Sequence, residues 1–226
     1  MKTSDDTHVQ LEGFSEPSYE EMMLRARHFR ERLRTRRSVR DFKPKHVVKD
    51  VIEACVFAAG SAPSGANHQP WYFACVAKPE TKREIRLAAE AEERAFYEGK
   101  AGTAWLDALA PIGTNADKAY METAPVLICI FAQRRGGVNA GDDKKNYYIH
   151  ESVGIATGFL LAALHEAGLA TLVHTPNPMS FLNRICKRPD TEKPYLIVVA
   201  GHPADEAMVP LHALKKKDFN DLMGWL

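Results

Sequence analysis

The chain has 226 residues, 45% of them hydrophobic, enough to bury one sizeable core and to make a single domain the simplest expectation. Thirty basic against 29 acidic side chains leave a net charge of +1, which excludes a general nucleic-acid binder or a polybasic membrane reader and points to small-molecule partners. The opening MKTSDDTHVQ lacks the apolar core of a signal peptide, and no window approaches the roughly 20 apolar residues of a spanning helix, so a soluble, cytoplasmic protein with no membrane partner is expected.

Residues 1–17 are polar and end at Pro17; they read as an N-terminal arm, leaving residues 18–226 as one domain. Ser18 then starts a helix, with Glu21 as its capping partner, and Met22, Ala26, Phe29 and Leu33 recur at the four-three-four spacing of one apolar face. Five arginines over residues 25–34 fall mostly off that stripe and read as a solvated face. A second helix, carrying Val47, Val51, Ile52, Cys55 and Ala59, stops at Gly60 before the turn-rich SAPSGANHQPW. Residues 71–77 read as a strand. From Pro79 to about Glu98 the chain is helical, mostly charged, with the sparse apolar residues of an outlying element.

Residues 105–120, punctuated by Pro111 and Gly113, read as two short helices in a mobile region. Residues 126–131 form a central strand, and residues 134–145 a Gly-rich connection. The helix over residues 147–166 is apolar on more than one face, so it belongs in the interior or at a subunit contact, and Gly168 stops it. Residues 169–173 and 195–200 are further strands around a short helix at 181–186. The sum is a mixed α/β domain of four or five strands and long helices.

Cys55, Cys75, Cys129 and Cys186 stand far apart with no CxxC pair or metal-ligand histidine spacing, and read as buried free thiols. No HExxH, GxSxG or GxxxxGK[ST] string occurs, so no metal site is expected and hydrolase and P-loop readings fall away. Arg36, Arg37 and Arg40, with Ser38 and Val39 between them, place three guanidiniums and a hydroxyl on one short segment, a donor set that matches a phosphate dianion. Arginines at a helix end also have an ordinary explanation in the helix dipole.

The order RRSVR, then APSGANHQPW, then TAPVLI, an apolar helix and a TP turn resembles the nitroreductase superfamily of FMN enzymes, and within it the deiodinase branch. The resemblance implies an α/β (α+β) nitroreductase-like fold: a central, mainly antiparallel sheet flanked by helices, in an intertwined homodimer with FMN at the subunit interface. It places Arg36, Arg37, Ser38, Val39 and Arg40 on the FMN phosphate and ribityl chain, and Pro63, Ser64 and Gly65 beside the flavin. Gly65 suits a loop that approaches a flat ring closely, although Pro-Ser-Gly is also simply a good turn. By the same resemblance Val173, His174 and Thr175 would lie along the far edge of the ring, with the Thr175 hydroxyl at flavin N5 tuning the cofactor and His174 structural, although a Thr there could also merely cap or end a strand. Lys216, in the basic run 215–217, stands where the family usually has a phosphate-binding arginine, though a lysine run at a chain end is otherwise just solubilising.

Glu93 and Tyr97 stand four apart on one helix face, with Lys118 beyond; they match the branch's substrate triad, Glu93 for the ammonium and Tyr97 and Lys118 for the carboxylate of an amino-acid zwitterion. The Ala66 N–H would hold the phenolate. The resemblance therefore implies FMN-dependent reductive dehalogenation of halotyrosines to tyrosine and halide, a substrate lid at about 90–120, and NAD(P)H or a flavodoxin- or ferredoxin-type protein as the electron source. The alternatives are a broad NAD(P)H-dependent nitroreductase or quinone reductase, a flavin-cannibalising enzyme and a flavin-binding sensor.

Overall fold

The computed structural model describes residues 8–226. The cap expected at Ser18 forms, its Oγ accepting the Glu21 N–H at 3.2 Å, and helix α1 runs Tyr19–Thr35. No residue of α1 is buried, and Met22 and Phe29 of its apolar stripe are exposed. The arm expected over residues 1–17 lies outside the described residues as far as residue 7, and residues 8–18 carry no helix or strand. The chain divides after Thr35 into two compact units.

The second unit, Arg36–Leu226, opens with α2 (Lys49–Gly60), β1 (Trp71–Val76) and α3 (Pro79–Ala95), which a π-helical turn, Phe96–Lys100, prolongs. Then follow α4 (Thr103–Leu109), a 3-10 turn at Ala110–Ile112, α5 (Tyr120–Thr123), β2 (Val126–Gln133) and the hairpin β3 (Arg135–Gly136) and β4 (Lys144–Lys145). The chain continues through α6 (Ile149–Glu166), β5 (Ala170–His174), α7 (Phe181–Ile185), β6 (Glu192–Gly201) and α8 (Phe219–Leu222). Strands pair in the order β1-β2-β6-β5, each neighbour antiparallel.

β2 is an unbroken apolar run because both of its faces are covered. Val126, Ile128 and Ile130 pack with Ile52 and Cys55 of α2 and Val153 and Leu160 of α6. The alternate residues Leu127, Cys129 and Phe131 pack with Ile85 and Ala89 of α3 and Leu182 of α7. The sheet is thus a middle layer between helices. α6 buries Val153, Ala156, Leu160 and Leu164 but leaves Ile155 and Phe159 exposed at 42% and 44%. Of the four thiols expected to be buried, Cys75 is exposed, because β1 is an outer strand of the sheet. Among the described residues no helix is long and apolar enough to cross a membrane.

Candidate functional site

The arginine segment is stitched to the sheet. Ser38 bridges Thr171 of β5, with Val39 N–H donating to Thr171 O at 3.0 Å. Farther on, Lys43 N–H donates to His202 O and Ala204 N–H to Asp41 O, both at 2.9 Å. Buried Val39 and Phe42 pin the segment, so the part-buried side chains of Arg36, Arg37 and Arg40 are carried on a fixed backbone. Arg37 Nη1 donates to Arg36 O at 2.7 Å. Among the described residues, neither Arg36 nor Arg40 is paired with a carboxylate.

Arg40 lines a cavity of about 410 Å3 together with Val173, His174 and Thr175 at the end of β5. The opposite wall comes from α3 and its π turn, with Glu93, Phe96 and Tyr97, and Trp105, Leu109 and Ile112 add apolar surface. Lys118 and Tyr120 also line it. The three residues expected to hold a zwitterion therefore face one space with Val173, His174 and Thr175, the three expected along the far edge of the flavin. Lys118 is only 2% exposed, and its Nζ lies 3.3 Å from Glu93 Oε2. The same amine donates to Thr114 Oγ1 and Asn115 O.

The electrostatics follow from this crowding. Burial pulls the Lys118 ammonium below its ordinary pKa, while Glu93 pulls the other way. Burial pushes the Tyr120 phenol up. His174 is pushed down to about 3, mainly by burial and then by the charges of Lys118 and Arg40. It is a neutral imidazole whose buried Nε2 has no hydrogen-bond partner among the described residues. An orphaned ring nitrogen and the Arg40 guanidinium, which no carboxylate among the described residues pairs, are groups on one cavity left for a polar, anionic ligand, and so they fit a phosphorylated flavin.

Other expected residues are not brought to this cavity within one chain. The loop holding Pro63, Ser64, Gly65 and Ala66 rests on the start of α6: Gly65 N–H donates to Ser152 Oγ at 3.4 Å, and Ser64 Oγ accepts the Gln69 N–H at 2.9 Å. A Cβ on Gly65 would sit 2.7 Å from Tyr147 O, so the absent side chain makes room for the protein's own backbone. The left-handed conformations fall instead on Ala66, Asn67 and Gln69. Lys216 is exposed, and its Nζ donates to Ala213 O at 3.3 Å.

Glu93 and Tyr97 end a polar stripe whose first three members escaped the sequence reading. Lys82, Arg86, Glu90, Glu93 and Tyr97 recur at spacings of four, four, three and four along α3 and its extension, one face of a helix. That spacing was the available signal, and every one of the first four meets residues 118–124.

The nitroreductase family model matches residues 33–202. An iodotyrosine deiodinase of Haliscomenobacter hydrossis is 47% identical over 88% of this chain and 89% of its own length. The Homo sapiens iodotyrosine deiodinase 1 is 41% identical over 96% of this chain and 76% of its own length. Among solved structures, an oxidized iodotyrosine deiodinase bound to FMN and 3-iodo-L-tyrosine superposes with a TM-score of 0.68 at 30% identity, covering 78% of this chain and 90% of that one. A BluB-like flavoprotein of Clostridium difficile 630 shares the fold, with a TM-score of 0.65 at 20% identity over 87% of this chain and 98% of its own.

Proposed function

The chain belongs to the nitroreductase family, and from that premise we propose that it is an FMN-dependent oxidoreductase that dehalogenates halotyrosines reductively. The observation that carries the substrate is the meeting of Glu93, Tyr97 and Lys118 with Thr175 in one cavity. Arg36, Arg37 and Arg40, with Ser38 and the Val39 backbone, would hold the FMN phosphate, and Lys216 would add charge there. Val173 and His174 would lie along the ring, with the Thr175 hydroxyl donating to its redox-active edge. When bound, FMN supplies the two electrons that, with one proton, replace the carbon–halogen bond by carbon–hydrogen and release halide.

The protein's own part is recognition and exclusion. Glu93 takes the substrate ammonium, and Lys118 and Tyr97 take its carboxylate. Glu93 and Lys118 already neutralise each other across 3.3 Å. A zwitterion entering between them replaces one ion pair by two, so at no stage is a net charge left buried. Phe96, Trp105 and Leu109 offer apolar surface to the aromatic ring and keep water from it. Residues 90–120 act as the lid in this reading.

The reading also includes a homodimer. The loop Pro63–Gly65 and the Ala66 N–H would reach flavin and phenolate from the partner subunit, since in one chain they line neither this cavity nor the opening of about 490 Å3 beside Arg40. It further assigns a cytoplasmic location and NAD(P)H or a small redox protein as reductant. The test is direct: isolate the protein with its flavin, reduce it anaerobically and titrate with diiodotyrosine. Reoxidation with stoichiometric iodide is expected. A reduced flavin that diiodotyrosine leaves untouched, while nitroarenes reoxidise it, would replace this reading by a general nitroreductase.

A further inference from the structure

Glu90 is 6% exposed, lines neither cavity, and yet bonds the substrate-binding segment directly. Its Oε1 accepts the Lys118 backbone N–H at 2.9 Å and Arg86 Nη1 at 3.0 Å, and its Oε2 lies 3.8 Å from Arg94 Nη1. Arg86 passes the connection on, its Nε donating to Glu122 Oε1 at 2.5 Å. A carboxylate that met only arginines would be an ordinary helix ion pair. One that also takes a main-chain N–H fixes where the Lys118 side chain begins. That matters because a lysine amine on four rotatable bonds is aimed only as well as its backbone is anchored. From this anchor the Lys118 amine reaches Glu93, three residues beyond Glu90 on the same helix face.

We propose that Glu90 is a positioning residue for substrate specificity: it ties the Lys118 peptide to α3, so that the Lys118 amine and the Glu93 carboxylate present an opposite-charge pair at a fixed spacing to an amino-acid zwitterion. The inference rests on the halotyrosine reading and adds to it the group that sets the geometry of recognition. Loss of the anchor is felt by ligands that use both charges. It is not felt by a ligand that uses only the flavin face and the apolar wall.

The experiment compares the FMN-loaded parent, E90Q and E90A for binding of 3-iodotyrosine and of 2-iodophenol, which has no amino-acid group, by quenching of flavin fluorescence. Losing a buried, charge-assisted hydrogen bond is expected to weaken iodotyrosine about ten- to a hundredfold in E90A. E90Q, which keeps an acceptor for the Lys118 N–H, should lose less, and iodophenol should bind all three alike. Hydrogen exchange, with no ligand present, should show the Lys118 amide opening in E90A while the sheet stays protected. A Lys118 amide equally protected in parent and E90A overturns the proposal, as does equal weakening of both ligands. A parent that cannot tell iodotyrosine from iodophenol overturns the halotyrosine reading itself and the specificity role with it, whereas the exchange result still decides the anchor.

Discussion

A buried imidazole with a ring nitrogen lacking any partner is uncommon in folded chains, and its cost depends on pH. His174 has a folded pKa of about 3 against 6.5 in the unfolded chain. As pH falls, the unfolded chain takes up the proton first. The stability that goes with a neutral His174 is therefore complete above about pH 6.5 and is lost progressively as pH falls from there through 3. At pH 5 the loss is ~2 kcal/mol, from roughly 1.4 kcal/mol for each unit below 6.5. Urea unfolding of the cofactor-free protein at pH 7.5 and pH 5 should show this loss in the parent and not in His174→Phe. Equal acid losses in the two would mean that other groups carry it. The sequence placed His174 beside the flavin, but nothing in a string of letters shows a missing partner. Gly65 teaches the same point: its need for space was legible, while the occupant of that space, Tyr147 O, comes from a residue 82 positions away and emerged only in the fold.

Among the elements, legibility followed apolar periodicity. The run in β2 and the apolar stretch of α6 declared themselves, and Ser18 with Glu21 marked the start of α1. α3 was read as an outlying charged helix, since in sequence a buried ion pair and a solvated charge look the same. Its polar stripe instead grips residues 118–124. Lys82 is its first member: the buried amine donates to Glu122 O at 2.7 Å and Ala124 O at 2.5 Å, serving two carbonyls at the end of α5 that have no further helix turn to bond. Burial depresses its pKa, in keeping with an amine held largely by neutral oxygens. Lys82→Met should cost ~1–3 kcal/mol, the price of leaving buried carbonyls unsatisfied. The check is a lower urea midpoint with an unchanged slope, accompanied by faster hydrogen exchange at residues 120–126. A change within about 0.5 kcal/mol, the range of surface substitutions, would show that the amine is incidental.

For the molecule as a whole, the candidate site is divided. One part, with Arg40, Thr175 and the Glu93–Lys118 pair, lies between the end of β5 and α3; the other, Pro63–Ala66, rests on the start of α6. The sequence motifs name both parts but not their separation within a chain, because motif order carries no information about distance in the fold. α6 offers the means of joining them. Ile155 and Phe159, four apart, remain on its surface although the opposite face is fully packed. An exposed apolar face next to one half of a site fits a two-fold contact that presents the loop of each copy to the cavity of the other. Replacing both residues by aspartate places two charges in that contact and should yield a monomer in sedimentation velocity. Because the flavin would then meet only half of its contacts, FMN affinity should fall by about a hundredfold or more, an amount typical of removing an interface hot spot or two. Far-ultraviolet dichroism should stay near that of the parent, since neither side chain is needed within the chain. A doubly substituted monomer that still holds one FMN per chain as tightly as the parent would show that a single copy completes the cofactor site, and that Pro63–Ala66 act from within it.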